Sequence, residues 1–286
     1  MRKFIILTMA ALLPFAVFGE RPKPIDQSEK VRINGTDQWL LYRGKDITKP
    51  LVLFVHGGPG SPLMIFSRAF DETFLSDFVV VHWDQRDTGK SYDPKLPIET
   101  FSIRQIAQDG ILVVEHLKQK FHRQKVILVG HSWGTIVAPL MIQMKPECFS
   151  AYLSVGTAVD LGKGDLLKRD FLQSEIQKSG DRKDKQDFDK IGDPPWNNFD
   201  QLVVLSRLLG KYKGSFYSLT SEQINRAVDK NTEYSKTELK NINLGMKKIW
   251  EWINPTLVKY QALSAVPKID VPVLLVQGQH DQVRPR

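Results

Sequence analysis

The sequence predicts an α/β fold, in which a mostly parallel sheet carries helices on both faces and a helical cap is inserted between its strands. Two observations support this prediction. Short apolar runs, typical of strands buried on both faces, alternate with segments of helical period. Residues 161–262, in contrast, show helical patches and no buried β-run. At 286 residues, the chain is long enough for one large domain with an insertion.

The first half of the chain contains a candidate hairpin, four buried strands and two helices. Residues 31–43 form two half-buried runs around Asn34-Gly35, the pattern of a β-hairpin. Residues 102–121 repeat apolar side chains every three or four positions, as one face of a helix does. Residues 135–144 predict a second helix, which the following proline should end. Buried strands are predicted at residues 51–55, 78–83, 125–129 and 151–155.

These elements divide the chain into a targeting segment and one domain with an insertion. Residues 1–19 are predicted to be a signal peptide. Residues 20–160 form the N-terminal part of the core, and residues 161–262 form the helical cap. Residues 263–286 return to the core with one more predicted strand, at residues 271–276.

The signal peptide is predicted from three features of residues 1–19. Arg2 and Lys3 form a charged start, an apolar run follows, and small residues lead up to Gly19. The apolar run is short for a transmembrane helix, which needs about 20 apolar residues. We therefore expect an exported protein, periplasmic or secreted. The alternative is an uncleaved segment, through which alone the chain would meet a membrane.

The composition narrows the class of protein. Apolar residues make up 42% and charged residues 25%, an ordinary globular balance. The formal charge is +8, but basic runs such as residues 178–190 are interleaved with acids, which is typical of a solvated face. No nucleic-acid motif occurs, and we expect no nucleic-acid partner. Cys148 is the single cysteine and is expected to pack near a helix end, so the chain cannot form an internal disulfide.

Residues 130–134 (Gly-His-Ser-Trp-Gly) are the most specific motif in the sequence. They match the pattern Gly-x-Ser-x-Gly and stand between a predicted strand and a predicted helix, where a sharp turn exposes the serine hydroxyl. Glycine is needed on both sides because a side chain there would clash with neighbouring elements. The motif predicts Ser132 as the nucleophile of an acyl-transfer reaction.

Residues 56–60 (His-Gly-Gly-Pro-Gly) follow another buried strand and predict an oxyanion hole. A tetrahedral intermediate carries an oxyanion, which two preorganised N–H donors must stabilise. We expect one donor from Trp133, the residue after the nucleophile. The second donor is expected from Gly58, with Gly57 as the alternative.

Together with residues 83–91 (Trp-Asp-Gln-Arg-Asp-Thr-Gly-Lys-Ser), these motifs resemble the α/β-hydrolase family, and within it the proline iminopeptidase-like branch. The resemblance covers residues 31–160 and 266–281. That branch usually has glycine where Asp87 stands. The resemblance implies release of N-terminal residues from small peptides, with a carboxylesterase or another amide hydrolase as the alternative. Acyl transfer through a serine implies no metal and no organic cofactor.

The same resemblance implies that Asp281, just after the predicted strand at 271–276, is the acid that orients a catalytic histidine. The cap of this branch usually carries acids that hold a substrate amine, but no cap motif identifies them here, and the substrate-binding residues are unknown. Four cap acids are candidates for binding the amine, and the alternative for each is an ordinary surface acid: Glu175, Glu222, Glu233 and Glu238.

The family order places the catalytic histidine about 20–30 residues after Asp281, given ordinary element lengths. Only five residues follow, so we predict that the chain is a C-terminally shortened hydrolase whose last strand has an unpaired apolar edge. A non-catalytic binding protein is the alternative from another class. None of the six histidines is expected to be the base: His56, His82, His116, His122, His131 and His280.

Overall fold

A computed structural model describes residues 22–285. Seven strands in this range form one sheet in the order β1-β2-β4-β3-β5-β6-β7. The pairs β1-β2 and β2-β4 are antiparallel, and the other neighbours are parallel. The strands are β1 (Ile25–Ile33), β2 (Thr36–Gly44), β3 (Leu51–Val55), β4 (Val79–Asp84), β5 (Val126–His131), β6 (Phe149–Val155) and β7 (Val273–Val276). The predicted mostly parallel sheet is confirmed.

The first two strands form the predicted hairpin. Asn34 and Gly35 both have positive φ angles, 47° and 79°, which suit a two-residue hairpin turn. The hairpin is longer than predicted because β1 begins at Ile25, in a polar stretch without a strand signature. Its side chains are mostly exposed, and backbone pairing with β2 rather than burial holds this stretch in the sheet.

Two helices pack on the sheet where the sequence predicted them. Helix α2 (Ile103–Phe121) begins after Ser102, whose side chain accepts from the Gln105 N–H, and ends at His122 in the left-handed region. Helix α3 (Gly134–Met144) starts two residues after Ser132. Both helices contribute to one core with the strands. A short helix, α1 (Ser67–Phe70), lies between β3 and β4.

The segment between β6 and β7 is helical. A second cluster of buried apolar residues, including Leu172, Trp196 and Leu208, lies within this segment. The longest helix here, α8, also contributes Ile249 and Ile253 to the main core, so the segment is packed onto the sheet domain. The helices are α4 (Leu161–Ser179), α5 (Arg182–Ile191), α6 (Phe199–Lys211), α7 (Ser221–Asp229), α8 (Lys236–Leu257) and α9 (Ala262–Ala265).

Strand β7 lies at the sheet edge beside β6 and is strongly exposed. Its apolar side chains Leu274 and Leu275 are 63% and 65% exposed. Cys148 is buried at the end of a short helical turn, as expected. Among residues 22–285, no helix is both long and apolar enough to cross a bilayer, and no cluster of potential metal ligands is found. The predicted signal peptide lies outside the described residues.

A buried ion pair supports the turn after β4. The Arg86 guanidinium donates to both carboxylate oxygens of Asp109 on α2, at 2.5 and 2.7 Å. Gln38 also donates to Asp109 (2.9 Å) and accepts from the Trp83 indole N–H (2.7 Å). Because these polar groups satisfy one another, the pair is tolerated in the interior, and it fixes the turn to the core.

Replacing Arg86 with methionine should therefore lower the free energy of unfolding by about 3–5 kcal/mol, because Asp109 would stay buried without its cation. The control is Arg32→Met, which removes an exposed pair with Asp37 and should cost at most about 1 kcal/mol. Urea unfolding of both variants measures the difference. Equal costs for the two would contradict this role for the pair.

Candidate functional site: the carboxyl edge of the sheet

Ser132 lies in the sharp turn that joins β5 to α3. Its φ angle is +51°, in the left-handed region that side chains other than glycine rarely adopt. The turn is held from both sides: the Ser132 N–H donates to the Val155 carbonyl (2.9 Å), and the Ser132 carbonyl accepts from the Thr135 N–H and hydroxyl. The serine is half-buried, and its hydroxyl has no hydrogen-bond partner within residues 22–285. The side chain thus lies just beyond the carboxyl end of β5.

The two glycines of the motif are required by close backbone contacts. A Cβ on Gly130 would lie 2.7 Å from the Gly134 carbonyl oxygen. A Cβ on Gly134 would overlap the carbonyl oxygen of Val55 at the end of β3. These contacts are with backbone atoms, which cannot move aside as a flexible side chain can. The predicted steric need for glycine on both sides of the serine is therefore confirmed.

Because Ser132 is held at positive φ, Ser132→Gly should raise the free energy of unfolding by about 1 kcal/mol. Ser132→Ala is the matched control, since it also removes the hydroxyl but keeps a Cβ in the strained conformation. Thermal and urea unfolding of the two variants measure the effect. If glycine is no more stable than alanine at this position, the backbone there is not strained.

The glycine loop after β3 lies directly against this turn. A Cβ on Gly57 would lie 3.3 Å from the Ser132 Cβ. Gly57 is buried, whereas Gly58 is partly exposed and has a φ of +112°. The Gly58 and Trp133 N–H groups donate to no other residue of the described chain. Two unbonded main-chain donors are therefore available on the segments that flank the serine.

His56 supports this loop rather than the serine. Its Nδ1 donates to the Gly57 carbonyl (2.8 Å), and its Nε2 accepts from the Gln85 N–H (3.3 Å). Burial lowers the pKa of His56 to about 4, so the ring is neutral at physiological pH. Gln85 also accepts from the Trp133 indole N–H (3.0 Å), which ties the loop, the turn after β4 and the serine turn together.

Asp281 also lies beyond the carboxyl ends of the parallel strands, five residues after the end of β7. Its carboxylate accepts from the Gln277 side chain (3.0 Å) and from the N–H groups of Val283 and Arg284 (both 2.9 Å). The end of β6 contacts both positions: the Val155 carbonyl accepts from the Ser132 N–H, and a Cβ on Gly156 would be 3.4 Å from Asp281 Oδ2. Ser132 and Asp281 therefore flank the end of β6.

No histidine within the described residues is bonded to Ser132. The ring of His131 lies beside Gly57, and its buried Nδ1 has no partner among the described residues. Burial lowers the pKa of His131, and the charge of Arg284 lowers it further, while Asp281 opposes this shift.

His280 stacks on Tyr217, with ring centroids 3.7 Å apart. The others are held away from the serine: His82 by Asp71, His116 by Tyr42, and His122 at the end of α2.

The four candidate cap acids are all paired with basic side chains. Glu175 pairs with Lys178 and Glu222 with Arg226, each on the surface of its own helix. The other two bind the core: Glu233 pairs with Arg68, and Glu238 with Lys90. The last two acids therefore attach the cap to the core, a role that sequence reasoning missed.

The last residue of β4 is a buried acid that sequence reasoning also missed. The Asp84 carboxylate accepts from the Tyr234 hydroxyl, which lies 2.7 and 2.8 Å from its two oxygens, and from the Lys90 N–H (2.8 Å). Burial raises the pKa of Asp84 from 3.8 to about 7, although these bonds oppose the shift. Tyr234 precedes α8 by two residues, so this acid touches the start of the cap helix.

The raised pKa of Asp84 predicts how stability depends on pH. The folded chain holds this proton more tightly than the unfolded chain. The contribution of Asp84 to the free energy of unfolding is therefore fully present below pH 4 and is lost as the pH rises to about 7. Asp84→Asn removes the titration. The free energy of unfolding of the wild type, minus that of the variant, should fall between pH 4 and 7 and level off above. A constant difference across this range, measured by urea unfolding, would contradict the assignment.

The sheet order, the serine turn and the adjacent glycine loop together define an enzyme of the α/β-hydrolase class. Comparison with known families agrees. The chain belongs to the family described as serine aminopeptidase, S33, whose model matches residues 46–286. The predicted resemblance is thereby confirmed at the level of the family.

Curated relatives carry related names. The chain is 29% identical over 267 residues to a probable aminopeptidase, YbaC, of Bacillus subtilis, covering 92% of this chain and 83% of the relative. It is 26% identical over 259 residues to the proline iminopeptidase of Saccharolobus solfataricus, covering 86% and 74%.

Solved structures show the same fold at lower identity. The proline iminopeptidase of Mycobacterium smegmatis is 15% identical, with a TM-score of 0.59 and coverage of 90% of this chain and 83% of that one. The structure of VinJ is 16% identical, with a TM-score of 0.61 and coverage of 91% and 84%. At these identities the likeness concerns the fold alone.

Proposed function

We propose that this protein is a serine hydrolase that works by acyl transfer through Ser132, with an aminopeptidase of the proline iminopeptidase type as the leading activity. One observation carries the proposal. Ser132 is held at a φ of +51° between a strand and a helix, with a half-exposed side chain. A backbone cost of about 1–3 kcal/mol is retained at functional sites when the surrounding structure enforces it.

In the proposed mechanism, the Ser132 oxygen attacks the carbonyl carbon of the scissile bond and gives its proton to a base. The resulting oxyanion is stabilised by the N–H groups of Gly58 and Trp133. We prefer Gly58 to Gly57 because Gly58 is partly exposed to an incoming substrate and Gly57 is buried. Loss of one such donor typically costs 10²–10³-fold in rate. As the intermediate collapses, the C–N bond breaks and the base returns its proton to the leaving amine, which leaves an acyl-serine. Water then hydrolyses this ester to the free acid and Ser132.

Asp281 is proposed to orient the base and to stabilise its charged form. Its carboxylate is already fixed by Gln277 and by two main-chain N–H groups, so it can direct an imidazole without moving. None of the six histidines is placed to bond both Asp281 and Ser132 in the described structure, and we assign the base to none of them.

Two findings support a peptide substrate over an ester. The family model is that of serine aminopeptidases, and the two relatives described above carry aminopeptidase and iminopeptidase names. The four cap acids named above are held by lysine or arginine side chains, so they are not proposed as the amine-binding groups.

A fluorophosphonate probe and two substrates test the proposal. The probe should label the wild type at Ser132, and Ser132→Ala should abolish labelling. Ser61→Ala is the matched control, since Ser61 is an exposed serine next to the glycine loop and its loss should leave labelling unchanged. Proline anilide should be cleaved faster than short acyl esters. The reverse preference would favour the esterase, and equal labelling of Ser132→Ala and the wild type would refute the nucleophile.

A binding protein without turnover is the second candidate. The observation that favours it is the absence of a histidine bonded to Ser132 among the described residues. In that case calorimetry should detect binding of small peptides, no product should form, and Ser132→Ala should bind as the wild type does.

A further inference from the structure

Helix α8 of the cap touches the glycine loop through its backbone. A Cβ added to Gly60 would lie only 2.9 Å from the Cα of Met246. On the neighbouring position of α8, a Cβ on Gly245 would overlap the carbonyl oxygen of Asp87. The helix is therefore wedged between the glycine loop and the turn after β4. A small displacement of α8 would be transmitted to the loop, because no side chain lies between their backbones to absorb it.

An ion pair that is buried on the Asp87 side and partly exposed at Lys248 holds α8 in this place. Lys248 donates to the Asp87 carboxylate (2.6 Å) and to the Leu96 carbonyl (2.8 Å). The Asp87 side chain is only 2% exposed. Its carboxylate also accepts from the Asp93 N–H (3.2 Å), so both ends of the contact are fixed. Lys248 lies three residues after Gly245, about one helical turn from the close backbone contact.

The backbone conformation at Asp87 is unfavourable for an aspartate. Its φ is +60°, where glycine would be accommodated without strain. Burial also raises the pKa of Asp87, while Lys248 opposes that shift. Aspartate at this position thus carries a backbone cost and a burial cost that glycine would avoid. Its carboxylate, however, contacts Lys248 of the cap helix, which glycine cannot do.

We propose that Asp87 and Lys248 are positioning residues, which hold α8 against Gly60 and thereby fix the main-chain N–H groups of the glycine loop. The inference rests on the proposed function, because those N–H groups matter only if an oxyanion forms beside Ser132. The inference assigns neither side chain a contact with the substrate. Their effect reaches the reaction through α8 and the loop, and it concerns the transition state more than substrate binding.

The test compares Lys248→Met and Asp87→Gly with Lys247→Met, a matched control at an exposed neighbour on the same helix. Two quantities are measured: hydrogen exchange of peptides that cover residues 56–62, and kcat and KM for proline anilide. The Ser61 N–H, which donates to the Gly57 carbonyl (3.2 Å), reports on the loop. We expect faster exchange in both test variants, with kcat lower by about tenfold, KM within about twofold, and no change in the control.

Asp87→Gly separates positioning from simple turn formation. Glycine adopts the φ of this turn more easily than aspartate, so a purely structural role predicts exchange and kcat at the wild-type level. That result would overturn the inference, as would unchanged exchange in Lys248→Met. The double variant should be no worse than either single variant, because both remove the same contact.

The two proposals fail in distinguishable ways. Turnover that survives Ser132→Ala would refute the serine mechanism, whatever the exchange data show. If the wild type cleaves no substrate, the exchange comparison alone decides whether Asp87 and Lys248 hold the loop. If Ser132 is essential and the test variants match the wild type in exchange, only the positioning inference is wrong.

Discussion

The arrangement of this protein depends on how closely helix α3 crosses the end of strand β3. The backbone at Gly134 approaches the Val55 carbonyl so closely that no Cβ fits between them. This approach forces the chain to leave β5 through a tight turn, and Ser132 takes the left-handed conformation that the turn needs. The same crossing brings the loop after β3 alongside the serine. One steric constraint therefore creates both the strained residue and the neighbouring main-chain donors.

Around this crossing, the interior carries several buried ionic groups that connect elements far apart in sequence. Arg86 and Asp109 join the turn after β4 to α2, and Asp84 joins the end of β4 to Tyr234 of the cap. Such groups are costly to bury and are tolerated only with well-placed partners. In this chain the partners lie on different layers of the fold. The Arg86–Asp109 pair accordingly fixes a turn within the sheet domain, whereas Asp84, through Tyr234, helps to hold the cap on that domain.

Most of the strands, helices α2 and α3 and the serine turn could be predicted from local patterns. Apolar runs of five or six residues identify β3 to β6, and the glycine spacing around Ser132 identifies the turn, because both features depend on neighbours in sequence. The start of β1 at Ile25 could not be predicted, since its exposed polar residues are ordered by pairing with β2. The roles of Glu233 and Glu238 were missed for a similar reason, because their basic partners lie well over a hundred residues away.

The sequence by itself determined the class of fold, the identity of the candidate nucleophile and the need for glycine around it, because these follow from periodicity and from steric limits within a few residues. Only the tertiary structure decided which charged groups are buried and what they hold. Asp84 ends β4 and Asp87 lies three residues later in the following turn, yet each is fixed by a different residue of the cap. The groups around each carboxylate come from segments distant in sequence. Its burial and its partners therefore depend on how those segments pack, which local sequence does not determine.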